Sequence, residues 1–288
     1  MDAFLKLIRL PAVFSAPADV LGAIALGLSL GGTTQWDFAF LIGAASVLLY
    51  AAGMICNDLF DFEIDGQERP QRPLPSGQIS RRTAWVVALF LQAVGIVLAG
   101  TISELSAFFA ILLCGLTYGY NGVTKNNFWG PLNMGLCRAC NFVMGVSVIE
   151  FTKFDPLFLI TAGFICAFVA LVTRVSQDEM GPVTNASRRA VYAMRGVTLC
   201  LPLWILILPK IEVTHVIFLC IPFLWMNVSG VKWRSIPPNL QIEVVRGLKG
   251  IVVIYFSLSL AVNNYMIAGI LMLCFFASKF LGRWFYAT

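Results

Sequence analysis

Charged side chains are scarce in this chain. Asp, Glu, Lys and Arg make up 12% of its 288 residues, and hydrophobic residues make up 59%. Soluble domains carry about twice that charged fraction, so a soluble globular protein is excluded. The mean hydropathy of +0.82 agrees with this conclusion. The composition therefore predicts a polytopic integral membrane protein, which we treat as a single membrane-embedded domain over residues 1–288.

Three further patterns are missing, and each absence removes a class of protein. No basic stripe with interleaved aromatic residues is present, so the net charge of +5 belongs to loops and predicts no nucleic-acid partner. No small-residue cleavage site follows the N-terminal MDAFLKLIRL, so the segment behind it is predicted to be a first span and not a cleaved signal peptide. The apolar runs are continuous and do not alternate, which disfavours a transmembrane strand barrel.

Apolar runs of about twenty residues, the length of a membrane-crossing helix, recur along the chain. The predicted fold is therefore all-α, a transmembrane helical bundle of nine to ten spans. The candidate spans are 9–30, 37–56, 83–100, 105–121, 131–149, 156–174, 190–208, 212–231, 243–261 and 264–283. With a cytoplasmic N-terminus, the outer loops keep only Lys153 and Lys210, as the positive-inside rule requires.

One polar segment interrupts these runs with a row of acids. Asn57, Asp58, Asp61 and Asp65 follow one another at helical spacings and fall within about 100° of one helix face. Carboxylates gathered on one side repel each other unless a divalent cation binds them. Oxygen-only ligands favour Mg²⁺, which prefers one or two carboxylates together with phosphate oxygens. The alternative is an amphipathic loop that carries ordinary solvated acids.

A basic stretch directly follows the acids and completes the pattern. It contains Arg69, Arg72, Arg81 and Arg82. Cations beside metal-binding carboxylates suit a polyanion such as diphosphate. The two halves together predict a diphosphate site at the cytoplasmic edge of the membrane.

This segment resembles the UbiA superfamily of intramembrane prenyltransferases. The sequence NDLFDFEID over Asn57–Asp65 matches the first aspartate-rich motif of the family, NDxxDxxxD, and RPLPSG from Arg72 matches a segment that follows it. The resemblance implies a helical bundle with a central cavity open to lipid. It also implies that Asp58, Asp61 and Asp65 bind diphosphate through Mg²⁺, with support from Asn57.

A second polar break departs from the family pattern. It reads RVSQDEMGPVTNASRR, where the family normally carries another aspartate-rich motif, and only Asp178 and Glu179 are acidic. We expect both to be catalytic, with Asp178 as a ligand of a second Mg²⁺ that has fewer fixed ligands. The alternative is a solvated acid pair. A branch of the superfamily from Ebo-type bacterial gene clusters has a similarly degenerate second motif, which implies a bacterial inner membrane.

Three further polar residues are candidates for the donor diphosphate. Lys125 matches the family's lysine that reaches the donor phosphates. Arg138 lies inside a predicted span, where a charge costs about 2.5 to 3.5 kcal/mol on insertion scales, so it is expected to face the protein interior. We favour diphosphate contact for Arg138 over snorkelling to the membrane surface. Asn133 is expected to contact the diphosphate too, or to serve as hydrogen-bonding glue between helices.

Asp19 is the other ionisable residue within a predicted span. It is expected either to pair with Arg138 or another polar group, or to contact the acceptor and tune proton removal. The whole pattern predicts Mg²⁺-dependent transfer of an isoprenoid chain from a prenyl diphosphate to a lipophilic or aromatic acceptor among membrane lipids. The alternative is a non-catalytic isoprenoid-diphosphate binding or transport component that retains only the first motif.

Overall fold

The computed structural model describes residues 2–179, 181–206, 213–228 and 239–285. Every regular element within those ranges is helical, apart from an isolated bridge between Thr33 and Glu150. The described α-helices are α1 (Asp2–Leu7), α2 (Leu10–Val13), α3 (Ala16–Ser29), α4 (Trp36–Phe60), α5 (Phe62–Glu68), α6 (Arg81–Gly100), α7 (Glu104–Gly119), α8 (Gly130–Val146), α9 (Leu157–Gln177), α10 (Asn185–Val197), α11 (Val216–Leu219), α12 (Ile221–Val228), α13 (Leu240–Ala261) and α14 (Tyr265–Phe285). A π-helical turn over Tyr120–Thr124 extends α7.

The predicted polytopic all-α bundle is confirmed, but the count of nine to ten spans is not. Seven described segments are long and apolar enough to cross a membrane: Leu10–Ser29, Trp36–Phe60, Arg81–Gly100, Glu104–Thr124, Leu157–Gln177, Leu240–Ala261 and Tyr265–Trp284. Helix α8, in the predicted fifth span, has 17 residues, fewer than the roughly 20 that cross a bilayer core. The predicted spans 190–208 and 212–231 extend in part outside the described residues.

Helix α8 lies in the interior of the bundle and packs against α3, α7 and α9. Two glycines permit this close approach. A Cβ added at Gly145 would lie 2.7 Å from Val20 Cα on α3, and one added at Gly135 would lie 2.3 Å from the carbonyl oxygen of Cys166 on α9. Small residues at helix contacts are typical of membrane bundles, where close backbone approach supplies the packing energy.

The outer helices turn large apolar side chains away from the protein. Phe90 on α6, Phe108 on α7 and Phe276 on α14 are all more than half exposed. Apolar surface of this extent suits contact with lipid chains and would be a liability in water. Together with the seven apolar segments, these faces identify an integral membrane protein.

Candidate functional site

The acidic motif lies at the junction of α4 and α5. Asn57 and Asp58 belong to the last turn of α4, Asp61 is the junction residue, and Asp65 belongs to α5. Backbone hydrogen bonds of 3.0 Å from Asp61 to Asn57 and of 2.8 Å from Asp65 to Asp61 continue the helical ladder across the junction. The helical spacing expected from the sequence is therefore present.

Arg72 bridges two of the carboxylates. Its Nη1 lies 2.5 Å from Asp65 Oδ2 and 3.6 Å from Asp58 Oδ1. The carboxylates of Asp58 and Asp65 are buried, and two buried like charges destabilise each other unless a cation lies between them. The bridge explains how this pair of acids is tolerated at the helix junction.

The turn after Arg72 fixes the position of this bridge. The Ser76 amide donates to the Arg72 carbonyl at 3.0 Å, and Gly77 adopts a positive φ of 74°, which glycine allows at no steric cost. Leu74 and Ile79 are buried in the same apolar cluster as the C-terminal part of α4. The RPLPSG segment is thus a compact turn that is anchored to the core and holds the guanidinium over the acids.

Arg9 is a residue of this site that sequence reasoning missed. Its Nη2 donates to Asp58 Oδ1 at 3.0 Å and lies 3.3 Å from Asn57 Oδ1. The residue stands between α1 and α2 with a left-handed φ of 51°, and Leu7 just before it is wholly buried. The sequence indicated only that Arg9 is one of the basic residues on the predicted cytoplasmic side. That observation could not identify Asp58, far along the chain, as its partner.

Lys125 pairs with the third carboxylate of the motif. Its Nζ donates to Asp61 Oδ2, and its backbone amide donates to the Tyr120 carbonyl at 2.9 Å. The Asn57 amide contacts Asn121 Oδ1 at 3.0 Å, which joins the end of α4 to the π-helical turn. Such π-helical turns occur frequently at functional sites. Three cations from separate segments therefore neutralise the three carboxylates.

The other two predicted diphosphate ligands have hydrogen-bond partners outside the acidic motif. Asn133 contacts Thr124 Oγ1 at 3.1 Å, in the turn that precedes Lys125. Arg138 is buried, and donates from Nη1 to Asp19 Oδ2 at 3.0 Å and from Nη2 to Ser15 Oγ at 2.8 Å. The pairing of Asp19 with Arg138 is thus found, whereas diphosphate contact for Asn133 and Arg138 stays a prediction.

The second polar break holds its aspartate with local partners. Asp178 Oδ1 accepts from Arg174 Nη1 at 3.0 Å, one turn earlier on α9, and Asp178 Oδ2 accepts from Ser187 Oγ at 2.5 Å. Partial burial raises the pKa of Asp178, but these two hydrogen bonds and the Arg174 charge outweigh it, so the net shift is downward. Glu179 follows directly, with its backbone amide bonded to the Ser176 carbonyl.

Gln177 places the second break beside the first. Its Nε2 donates to the Lys125 carbonyl at 3.0 Å. The end of α9 therefore supports the same loop that presents Lys125 to Asp61. This contact brings the two polar breaks together through the backbone of a shared loop.

The acid residues suit Mg²⁺ in chemistry but do not form a ready-made cage. No group of three His, Cys, Asp or Glu side chains that could hold a metal occurs among the described residues. Within the same residues, Asp58, Asp61 and Asp65 each pair with a cation through a single oxygen. The second oxygen of each carboxylate takes no part in these ion pairs, which suits an ion that takes its remaining ligands from phosphate.

Two hollows adjoin each other on the side of α13 and α14. A hollow of about 270 Å³ is lined entirely by apolar side chains, including Trp225, Phe256 and Phe275. A smaller hollow of about 20 Å³ shares Val252 and Phe275 with it and reaches Ser15. Neither of these two is lined by the acidic motif, so the central cavity expected beside the motif stays a prediction.

Several known proteins that resemble this chain share one name. Digeranylgeranylglyceryl phosphate synthase of Thermococcus gammatolerans is 42% identical over 168 residues, which are 55% of this chain and 56% of that protein. The enzyme of the same name from Metallosphaera sedula is 31% identical over 189 residues, 64% of this chain and 66% of that protein. The chain therefore spans less than two thirds of the first relative's length.

A solved structure and a family model complete the comparison. The structure of a UbiA homologue from Archaeoglobus fulgidus bound to DMAPP and Mg²⁺ superposes with a TM-score of 0.60 at 17% identity, covering 92% of this chain and 99% of that one. At that identity the likeness shows a shared fold. The model of the UbiA prenyltransferase family matches residues 20–241. The chain therefore belongs to the UbiA prenyltransferase family.

Proposed function

We propose that this protein transfers an isoprenoid chain from a prenyl diphosphate to a lipophilic acceptor within the membrane. The observation that carries the proposal is the group of three carboxylates at the α4–α5 junction, each paired with a cation from a different segment. Such a group can receive both a divalent metal and a diphosphate. Relatives named digeranylgeranylglyceryl phosphate synthase support the same reaction class.

The carboxylates are the proposed metal ligands. Asp58, Asp61 and Asp65 would hold Mg²⁺ through the oxygens that their cations leave open, with phosphate oxygens of the donor as further ligands. Bound Mg²⁺ would stabilise the negative charge that develops on the departing diphosphate. Asp178 and Glu179 are proposed as weaker ligands of a second ion, because Asp178 already has two local partners.

The basic side chains are proposed to exchange partners when the donor binds. Arg9, Arg72 and Lys125 hold the acids in the free protein, and each has a side chain long enough to turn towards a phosphate. Fixed cations around a leaving diphosphate stabilise the transition state because its charge develops where they already point. Asn57 would help to orient Arg9 and the π-helical turn before Lys125 through its amide contacts with Arg9 and Asn121.

The proposed acceptor is a glyceryl phosphate that carries a lipid chain. This choice is supported by the name shared by the relatives, which refers to a prenylated glyceryl phosphate. An aromatic acceptor is the competing possibility. The two polar breaks and the N-terminus are proposed to face the cytoplasm, because Lys and Arg are concentrated on that side of the predicted spans. The predicted bacterial inner membrane gains no support, since the named relatives are archaeal.

A second candidate function is binding or transport of an isoprenoid diphosphate without chemistry. The local pairing of Asp178 favours it, because a second metal site would need that carboxylate. The two candidates differ in whether the bond between diphosphate and isoprenoid carbon is broken. Release of diphosphate from a bound donor therefore separates them.

The test is incubation of the purified full-length protein with labelled geranylgeranyl diphosphate and geranylgeranylglyceryl phosphate in lipid nanodiscs with Mg²⁺. We expect a labelled lipid whose mass equals the acceptor plus one geranylgeranyl group, and no such product from Asp58→Asn. Donor binding without release of diphosphate would establish the carrier instead. A product formed with a dihydroxynaphthoate but not with the glyceryl phosphate would establish an aromatic acceptor.

A further inference from the structure

Lys249 is a half-buried cation in the middle of α13. It belongs to a candidate membrane span, where an ionisable side chain is costly and normally pairs with a group of opposite charge. Arg246, one turn earlier on the same helix, follows this rule, since its Nη1 donates to Glu243 Oε1 at 3.0 Å. No carboxylate pairs with Lys249 within the part of the chain that the structure describes.

The charged group that acts on Lys249 among the described residues is a second cation. Lys279, exposed on α14, lies close enough to interact with it electrostatically. Lys279 has no carboxylate partner in the described ranges either. Two neighbouring like charges destabilise each other, and an anion bound to both would remove that repulsion. Lys249 and Lys279, which we call the lysine pair, therefore favour an anionic ligand.

The lysine pair lies at one level of a helical hairpin. Helices α13 and α14 pack against each other and are joined by a short turn after Ala261. At about 1.5 Å per residue, Lys249 lies about 18 Å from the end of α13 at Ala261, and Lys279 about 21 Å from the start of α14 at Tyr265. In the proposed orientation the turn faces outwards, so the lysine pair lies in the cytoplasmic half of the membrane.

The apolar hollow of about 270 Å³ lies between the lysine pair and the turn. Trp225 on α12 belongs to its third wall, and Leu224 and Met272 on facing walls are partly exposed, so the hollow is open at the side. The residues that α13 and α14 contribute all lie on the turn side of the lysine pair: Val252, Val253, Phe256, Leu271, Met272 and Phe275. The hollow therefore suits a hydrocarbon chain that runs from the lysine pair towards the middle of the membrane.

The small hollow connects the lysine pair with the apolar hollow. It is lined by Lys249 and Ser278, and it shares Val252 and Phe275 with the larger hollow. Its volume of about 20 Å³ gives room for one water-sized oxygen. A head group therefore stays outside the small hollow, at the lysine pair, with at most one of its oxygens inside.

We infer that α13 and α14 bind an anionic phospholipid of the cytoplasmic leaflet. Its phosphate binds to the lysine pair, and one of its hydrocarbon chains lies in the apolar hollow. Basic pockets between transmembrane helices on the cytoplasmic side are typical sites for anionic lipid head groups. The inference does not depend on the proposed prenyl transfer.

Charge and shape together select this ligand. Free phosphate would satisfy the lysine pair but leave the apolar hollow unfilled. A zwitterionic lipid would fill the hollow, but its own cation would lie beside the lysine pair. An anionic phospholipid satisfies both parts of the site, because its charge and its chain are joined in the order in which the lysine pair and the hollow follow one another.

The experiment uses Trp225, which lines the apolar hollow, as a fluorescent reporter. The full-length protein is placed in phosphatidylcholine nanodiscs that contain a small fraction of phosphatidylglycerol with brominated chains. The quenching that disappears in Trp225→Phe is assigned to Trp225. We expect phosphatidylglycerol to occupy the hollow about tenfold or more in preference to brominated phosphatidylcholine, because each lysine contributes about fivefold in affinity.

Variants of the two lysines test the head-group contact. Lys249→Gln and Lys279→Gln should each lower the preference for phosphatidylglycerol by about fivefold, and the double variant should abolish it. Lys6→Gln is the matched control, because Lys6 is an exposed lysine of α1 and its loss removes the same charge. The preference of Lys6→Gln should equal that of the wild type.

A salt series in the wild type gives a check that needs no variant. The preference for phosphatidylglycerol should shrink as salt screens the lysine pair, while quenching by brominated phosphatidylcholine stays constant. Equal quenching of the wild type by the two lipids, or a preference that survives in the double variant, would overturn the inference. Displacement of the brominated lipid by geranylgeranylglyceryl phosphate, but not by unlabelled phosphatidylglycerol, would also overturn it and assign the site to the acceptor.

Discussion

The two polar breaks of this protein differ in where their acids find partners. In the first, Asp58 and Asp61 pair with Arg9 and Lys125, which come from distant parts of the chain. In the second, Asp178 pairs with Arg174, one turn away on the same helix. Long-range pairs hold together segments that would otherwise be free to separate, whereas an exposed pair at helical spacing contributes little to stability.

This difference indicates that charged side chains are concentrated at the first break. It is there that we propose an exchange of cation partners when the donor binds. Its acids Asp58 and Asp65 are buried and cannot be left without a cation, so a metal or a cationic side chain must always be present beside them. The acid of the second break is satisfied within its own segment. Its contribution to the site passes through Gln177, which holds the loop of Lys125. The following predictions are ways to test this division of roles.

The largest effect is expected from Asp58→Asn. Removal of this carboxylate deletes a proposed metal ligand and leaves Arg9 without its charged partner and Arg72 without one of its two. We expect prenyl transfer to fall by about 100-fold or more, measured as labelled product per enzyme. Glu63→Gln is the matched control, because Glu63 is an exposed acid of the same segment and should leave transfer unchanged. Full activity of Asp58→Asn would refute the metal assignment.

Arg72→Lys comes next in size. Lysine keeps the charge but its side chain is one atom shorter, so we expect its ammonium group to fall short of the position from which Nη1 of Arg72 contacts both Asp58 and Asp65. The KM for the donor should rise by about tenfold, the value of a charge-assisted hydrogen bond. Arg81→Lys serves as the control, because Arg81 contacts only the Phe62 ring among the interactions found for it. A donor KM equal to that of the wild type would remove Arg72 from the site.

Arg9→Gln should have a smaller effect. The Arg9 side chain is 39% exposed, so its pair with Asp58 is partly screened by solvent. We expect the donor KM to rise by up to about fivefold, with kcat almost unchanged. Kinetics at low and high salt provide the check, because the difference from the wild type should shrink as salt screens the charge. A change in kcat alone would place Arg9 in the chemical step and not in donor binding.

Much of the first break could be predicted because its geometry is local. The helical spacing of Asn57 to Asp65 and the turn that begins at Arg72 depend on neighbouring residues, and local hydrogen bonds reproduce both. The pairing of Arg9 with Asp58 joins residues that are far apart in sequence, and helical periodicity holds no information about such contacts. The same limit applies to Arg138, because its burial was expected but its pairing with Asp19 was one of two alternatives for Asp19; its contact with diphosphate stays a prediction.

The count of nine to ten spans is not confirmed, for a different reason. A hydropathy window detects apolar composition, but it does not detect where a helix ends. The predicted fifth span became α8, which ends at Val146 and packs in the interior through Gly135 and Gly145. Its apolar character reflects burial among other helices as well as contact with lipid.

The smallest effect is expected from Asp178→Asn. This variant tests whether the acid of the second break contributes less to transfer than the acids of the first. Transfer should fall by no more than about threefold, because the carboxylate's partners Arg174 and Ser187 belong to its own break. The pKa of Asp178 is lowered, although burial acts in the opposite direction. Its ionised carboxylate therefore stabilises the folded protein above the ordinary pKa of an aspartate. This contribution is lost as the pH falls through the lowered pKa. Thermal melting should therefore separate the wild type from Asp178→Asn at neutral pH, and the difference should vanish in strong acid.

Asp37→Asn is the control for Asp178→Asn, since Asp37 is exposed at the opposite end of α4 and should alter neither quantity. A loss of transfer as large as that of Asp58→Asn, with melting unchanged, would mean that Asp178 gives up its local partners to hold a metal. The second break would then be equivalent to the first in function, and its short acidic sequence would be sufficient because Gln177 already fixes it beside Lys125.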